Sequence, residues 1–128
     1  MRCLIVDDSV DFVNAARGLL EHDGIMIVGV ASTSAEALRC FELLRPDVTL
    51  VDVNLGSEDG FELAEQLNRS EWPAPSPLIL ISTHSEDDFA DMIAASPAIG
   101  FVAKFALTSD AIRALVDGSA SRDEGARH

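Results

Sequence analysis

Five times along the chain a short apolar run gives way to a longer amphipathic stretch, and this alternation constrains the fold more than any other feature. The runs occupy residues 3–6, 25–30, 48–53, 78–81 and 99–102. They are rich in Val, Ile and Leu and nearly unbroken, as expected of strands covered on both faces. The stretches between them repeat apolar residues at helical spacing. Phe12, Val13, Ala16, Leu19 and Leu20 follow Ser9, a side chain suited to an N-cap. Thr33 and Glu36 form a capping-box pattern ahead of Leu38, Phe41 and Leu44, and Pro46 closes that helix. Phe61, Ala64 and Leu67 mark a third helix. Phe89, Met92 and Ile93 mark a fourth, stopped by Pro97, and Ile112, Leu115 and Val116 a fifth. Strict alternation of this kind implies right-handed βαβ crossovers and a parallel sheet with helices on both faces.

The 128 residues suffice for one domain with a proper core, and 48% hydrophobic content excludes an acidic disordered tail. A net charge of −13 argues against direct nucleic-acid binding, which needs clustered Lys and Arg, and suits a metal cation or a basic partner. Cys3 and Cys40 each lie in apolar surroundings and read as core residues, with no disulfide framework. The N-terminus meets charge too early for a signal peptide, and no run approaches the ~20 apolar residues of a membrane span. A cytoplasmic setting without membrane contact is the expectation. One domain over 1–118 and a polar, frayed tail over 119–128 are expected; the proline-rich connector at 70–77 reads as a stiff surface link.

In open α/β sheets, ligands bind beyond the carboxyl ends of the strands. The first strand delivers Asp7 and Asp8 there, the third Asp52 and then Asn54, the fourth Ser82 and Thr83, and the fifth Lys104. The second delivers only Ala31 and Ser32, which places it at the periphery. Each residue alone has a plain structural reading, as a helix start or a solvated loop lysine; three acids, a hydroxyl and a lysine converging on one edge do not. Crowded carboxylates repel and take up protons unless a cation intervenes. Oxygen ligands with few anchoring side chains suit Mg²⁺, which keeps waters and leaves room for phosphate oxygens. A carboxylate beside such a metal can attack phosphorus, and a lysine supplies a point charge for the phosphoryl group.

With these residues in view, the chain resembles the receiver domain of two-component response regulators over residues 2–118. The motifs that carry the resemblance are Leu4-Ile5-Val6-Asp7-Asp8, Arg45-Pro46-Asp47-Val48-Thr49-Leu50-Val51-Asp52-Val53, Asp59-Gly60, Leu78-Ile79-Leu80-Ile81-Ser82 and Gly100-Phe101-Val102-Ala103-Lys104. The resemblance implies a three-layer, flavodoxin-like (βα)₅ fold, a doubly wound five-stranded parallel sheet with strand order 2-1-3-4-5. It implies Asp52 as phosphoacceptor. It also implies Mg²⁺ held by the side chains of Asp8 and Asp52 and the Asn54 carbonyl, with Asp7 acting through water. Ser82 is then the switch hydroxyl, Lys104 the phosphate-contacting lysine and Phe101 the rotameric switch aromatic. The implied donor is a phosphohistidine on a sensor histidine kinase or phosphotransfer protein. The output is a downstream protein partner met through the face of the fourth helix, fifth strand and fifth helix, by a monomer or a phosphorylation-dependent homodimer.

Two positions depart from the family pattern. Phe105 follows Lys104 where the family usually has proline, often after a cis bond, so that loop's geometry is not carried over. Leu55-Gly56-Ser57 stands where a proline is frequent, and Gly56 makes that turn less rigid. His84, two residues past Ser82, reads either as a modulator of water access or as a plain surface histidine. Trp72 in the connector reads as local packing, and Glu86-Asp87-Asp88 as an acidic start to the fourth helix. Two further readings stay open. One is a Mg²⁺-dependent aspartyl phosphatase, since Asp52-Val53-Asn54 faintly resembles the nucleophile motif of haloacid-dehalogenase-like enzymes. The other is a pseudo-receiver that keeps the fold as an interaction module.

Overall fold

The computed structural model describes residues 1–69 and 76–126, with side chains to residue 118. The central sheet consists of β1 (Arg2–Val6), β2 (Met26–Ala31), β3 (Val48–Asp52), β4 (Leu78–Ser82) and β5 (Gly100–Ala103). Each strand lies within one residue of the apolar run that announced it. Every neighbouring pair is parallel, in the order β2-β1-β3-β4-β5. This is the expected doubly wound, flavodoxin-like topology, with β2 at one edge.

The unbroken apolar runs follow from two cores. Cys3 and Ile5, Val48 and Leu50, and Ile79 and Ile81 point into the core beneath α1 (Val10–His22). Leu4 and Val6, Val51, and Leu78 and Leu80 point into the other, covered by α2 (Ser34–Leu44) and α3 (Gly60–Asn68). Phe89 and Ile93 pack at the margin of that second core, beside α4 (Ala90–Ala95). Ile112, Leu115 and Val116 of α5 (Ser109–Ala126) complete the first. Since successive strand residues face opposite sides, apolar residues at every position require a covered sheet on both faces. Cys3 is fully buried, and that burial pushes its thiol up to about 12. Thr49 is the exception in β3: its Oγ1 is buried with no hydrogen-bond partner among the described residues, and its register neighbours are Leu4 and Leu78.

The caps confirm the local signals. Ser9 Oγ accepts the Phe12 N–H at 3.3 Å, and Thr33 Oγ1 accepts the Glu36 N–H at 3.2 Å. The Glu36 carboxylate accepts the Ser32 hydroxyl at 2.9 Å and the Thr33 hydroxyl at 3.4 Å, contacts to side chains in place of the reciprocal backbone bond of a capping box. Helix α2 ends with Arg45 in the left-handed region at φ 46°, directly before Pro46, which disfavours the helical conformation in the residue ahead of it.

Three segments differ from expectation in form. The fourth helical segment opens with a 3₁₀ turn, Glu86–Phe89, in which the Asp88 carboxylate accepts the Ser85 N–H at 3.3 Å. Its α-helical part is only six residues long, and Met92 is exposed rather than core. Helix α5 continues past 118 to Ala126. The loop after β3 also forms a small antiparallel ribbon, Asn54–Leu55 against Glu58–Asp59, which no strand pattern signals. Trp72 and most of the proline-rich connector lie outside the described residues, as do 127–128.

Candidate functional site

The site is built where the adjacent strands β1 and β3 end, with Lys104 reaching in from the end of β5, two strands away from β3. Asp7 extends the β1 ladder through its N–H to the Ala31 carbonyl at 2.9 Å, and its Oδ1 accepts the Ser9 N–H at 2.8 Å. Asp52 closes β3, its Oδ1 accepting the Asn54 N–H at 3.0 Å. Lys104 follows β5 and reaches back between the two. Its Nζ lies 2.6 Å from Asp7 Oδ2 and 3.0 Å from Asp52 Oδ2. Asp7 is 2% exposed and Asp52 5%, whereas Asp8 faces solvent. One carboxylate oxygen from each of Asp7, Asp8 and Asp52 lies within 4.8 Å of the others.

Two glycines make room for this arrangement. A Cβ at Gly60 would sit 2.0 Å from the Asp52 carbonyl oxygen, so only glycine lets α3 start against the C-terminal end of β3. Gly60 also donates its N–H to the Val53 carbonyl at 3.0 Å. Gly56 turns the ribbon at φ 61°, and a Cβ there would stand 3.3 Å from Asp8 Oδ2. The ribbon is tied down in turn by Glu58, whose carboxylate accepts the Ser34 N–H at 2.9 Å at the start of α2.

Electrostatically the site is short of positive charge. Burial pushes the Asp52 carboxyl above its ordinary 3.8; the Asn54 N–H and Lys104 oppose this, and the Asp7 charge adds to it. Burial works to lower the Lys104 pKa, but hydrogen bonds and Coulomb attraction from Asp7 and Asp52 outweigh it and raise it overall. Three carboxylates against one ammonium leave two negative charges at the mouth. Asp7 Oδ2 is buried, and its partner is the Lys104 ammonium at 2.6 Å. Three clustered carboxylates facing a single ammonium, an open solvent side at Asp8 and an all-oxygen donor set fit a hard divalent cation.

The remaining expected residues stand nearby in different ways. Ser82 is fully buried at the end of β4, paired in register with Ala103, and its Oγ accepts the His84 N–H at 3.0 Å. Asn54 is exposed at the start of the ribbon. Phe101 lies in register with Leu80 and packs half-buried on the core of α2 and α3, away from the carboxylates. The His84 ring meets the edge of Phe89 at 5.9 Å, and Phe89 packs on Phe61 at 5.8 Å. The peptide bond between Lys104 and Phe105 is trans, within a short 3₁₀ turn that leaves Phe105 85% exposed. Phe12 fits the apolar stripe of α1 and packs in part on its core. Its ring also lies beneath Lys104, with the ammonium 4.6 Å from the centroid, a long-range contact that no local pattern could reveal. A cavity of about 350 Å³ beside Ser34, Glu58, Asp59 and Glu62 is not lined by Asp7, Asp8 or Asp52.

The family model of the response regulator receiver domain matches residues 3–117. The chain belongs to that family. This receiver is 37% identical over 82 residues to protein-glutamate methylesterase/protein-glutamine glutaminase 3 of Hahella chejuensis (strain KCTC 2396), covering 64% of this chain and 23% of that protein. It is 31% identical over 117 residues to the response regulator GacA of Pseudomonas viridiflava, covering 90% of this chain and 53% of that one. The solved signal receiver domain of the response regulator NarL from Mycobacterium tuberculosis superposes with a TM-score of 0.78 at 28% identity, covering 93% of this chain and 95% of that one. The receiver spans about a quarter to about half the length of these curated relatives. No described helix is long and apolar enough to cross a membrane.

Proposed function

We propose that this receiver is a phosphoacceptor switch that takes a phosphoryl group onto Asp52 from a phosphohistidine of a sensor histidine kinase or phosphotransfer protein. The observation that carries the proposal is the Lys104 ammonium set between Asp7 and Asp52 at the C-terminal edge of the sheet. In the transfer, an Asp52 carboxylate oxygen forms the new O–P bond as the donor's N–P bond breaks. The imidazole leaves with the electron pair and takes a proton from solvent.

Asp8 and Asp52 through their side chains, Asn54 through its carbonyl and Asp7 through water would hold Mg²⁺. The ion's contribution when bound is to neutralise charge on the acidic cluster and on the incoming phosphoryl oxygens. Lys104, already within 3.0 Å of Asp52, supplies the remaining point charge where the phosphoryl group arrives. Ser82 Oγ accepts the His84 N–H and keeps its own hydroxyl hydrogen free to donate to a phosphoryl oxygen as it moves toward the acyl phosphate. Movement of Ser82 opens space for Phe101 to turn inward, which biases the surface of α4, β5 and α5 toward a downstream protein partner. On this reading the protein is a signalling switch that acts only on its own acyl phosphate, as a monomer or a phosphorylation-dependent homodimer.

Labelling with acetyl phosphate in Mg²⁺ tests the proposal on the wild type and Asp52→Asn. A retained label lost in Asp52→Asn supports a switch. Turnover of many phosphoesters would make it a phosphatase, and an unlabelled wild type a pseudo-receiver.

A further inference from the structure

We infer that Phe12 is a positioning residue for Lys104, holding its ammonium beside Asp52 when a bound cation weakens the lysine's two ion pairs. The inference rests on the phosphoacceptor reading above. Four contacts close a circuit around the site. Asp7 Oδ1 accepts the Ser9 N–H at 2.8 Å, and Ser9 Oγ accepts the Phe12 N–H at 3.3 Å. The Phe12 ring supports the Lys104 ammonium at 4.6 Å, and that ammonium returns to Asp7 Oδ2 at 2.6 Å. The N-cap of α1 therefore fixes the height of the ring relative to the same aspartate that Lys104 pairs with.

An ammonium has three donors and no acceptor. Asp7 Oδ2 and Asp52 Oδ2 account for two of them, and the electron-rich ring face lies 4.6 Å from the nitrogen, within reach of the third. A divalent cation held at the three carboxylates would weaken the pull of Asp7 and Asp52 on Lys104, because both cations would share the same carboxylate charge. The ring carries no formal charge and offers no metal ligand, so its attraction for the ammonium survives that weakening. Lys104 then stays over the phosphoacceptor instead of swinging into solvent on a flexible stem. Phe12 is half-buried, with part of its ring on the core that α1 covers, so its placement is rigid.

Phe12→Leu keeps apolar bulk and removes the ring face, and Phe12→Tyr keeps the ring. At saturating Mg²⁺, Phe12→Leu should slow Asp52 phosphorylation by acetyl phosphate about fivefold, while Phe12→Tyr stays at the wild-type rate. The Mg²⁺ affinity of the full chain should be the same in all three proteins. A purely structural role would disturb Asp7 and Asp8 just ahead of α1, so a parallel loss of Mg²⁺ affinity overturns the inference. So does a wild-type rate in Phe12→Leu, or equal slowing in both variants. A second readout is independent of phosphorylation: the Lys104 ε-methylene protons should be shifted upfield by the ring in metal-free and Mg²⁺-bound wild type and in Phe12→Tyr, and lose that shift in Phe12→Leu. Absence of the shift in wild type overturns the inference. Failure of wild type to take a phosphoryl group, with the shift present, overturns the phosphoacceptor reading instead.

Discussion

Replacing Lys104 with methionine keeps the apolar stem and removes the ammonium, and should destabilise the metal-free protein by about 3 kcal/mol. The magnitude follows from burial. Asp7 and Asp52 are 2% and 5% exposed and the Lys104 side chain 11%, so both carboxylates lose their counter-charge with little water to replace it. For a domain of this length the loss corresponds to a fall in Tm of about 10 °C. Protonation sets its pH dependence. Burial already holds the Asp52 carboxyl above 3.8. An acid whose pKa is raised by folding favours the fold fully below its unfolded value, and that contribution is lost as pH rises through the folded value. Without Lys104 the Asp52 pKa should rise further, so the deficit should be largest at neutral pH and shrink as pH falls toward about 4. The lysine's own raised pKa acts on the alkaline side: its contribution should be complete below 10.5 and be lost only above that, through the higher folded value. Mg²⁺ at a hundred times its Kd should add about 2.7 kcal/mol to a protein that retains the site. Urea unfolding of wild type and Lys104→Met in chelator, at neutral and mildly acidic pH, measures the deficit. Equal stabilities in chelator at neutral pH, or a deficit that does not change with pH, would refute the reasoning.

Thr49→Val removes a buried hydroxyl that has no partner among the described residues and should stabilise the fold by about 1 kcal/mol in urea unfolding. Gly60→Ala places a methyl group 2.0 Å from the Asp52 carbonyl oxygen, and should cost about 3 kcal/mol and displace Asp52 enough to weaken Mg²⁺ binding by calorimetry. Ser82→Ala should leave Asp52 open to phosphorylation but shrink the beryllofluoride-induced chemical-shift changes on α4 and α5; full-size shifts would send the signal by another route.

The strands were legible because the sheet is covered on both sides, which turns each strand into an apolar run with polar residues only at its ends. The same geometry made Asp7, Asp8, Asp52 and Lys104 legible as one cluster, since parallel strands deliver their C-terminal residues to one edge. What escaped the sequence was set by contacts between segments far apart in the chain. The Asn54–Leu55 and Glu58–Asp59 ribbon is too short for any periodicity, and is held by Glu58 bonding Ser34 in another helix. The 3₁₀ turn before α4 shares its composition with an acidic helix start, so composition alone could not separate the two. Phe12 fits the apolar stripe of α1 as any core residue would, and only the lysine arriving from β5 distinguishes it. Ser82 and Phe101 stand on neighbouring strands as expected, yet their side chains make contacts other than those of the proposed signalling state, with the His84 amide and the α2–α3 core.

The central claim is that Asp52 is the residue that receives the phosphoryl group. The most direct measurement is to load the wild-type chain from a phosphohistidine donor in Mg²⁺, trap the acyl phosphate by borohydride reduction and map the reduced residue by peptide mass spectrometry. The account predicts reduction at Asp52 alone, with none in chelator. Reduction at Asp7 or Asp8, or a phosphoryl group recovered intact on a serine or histidine, would contradict it.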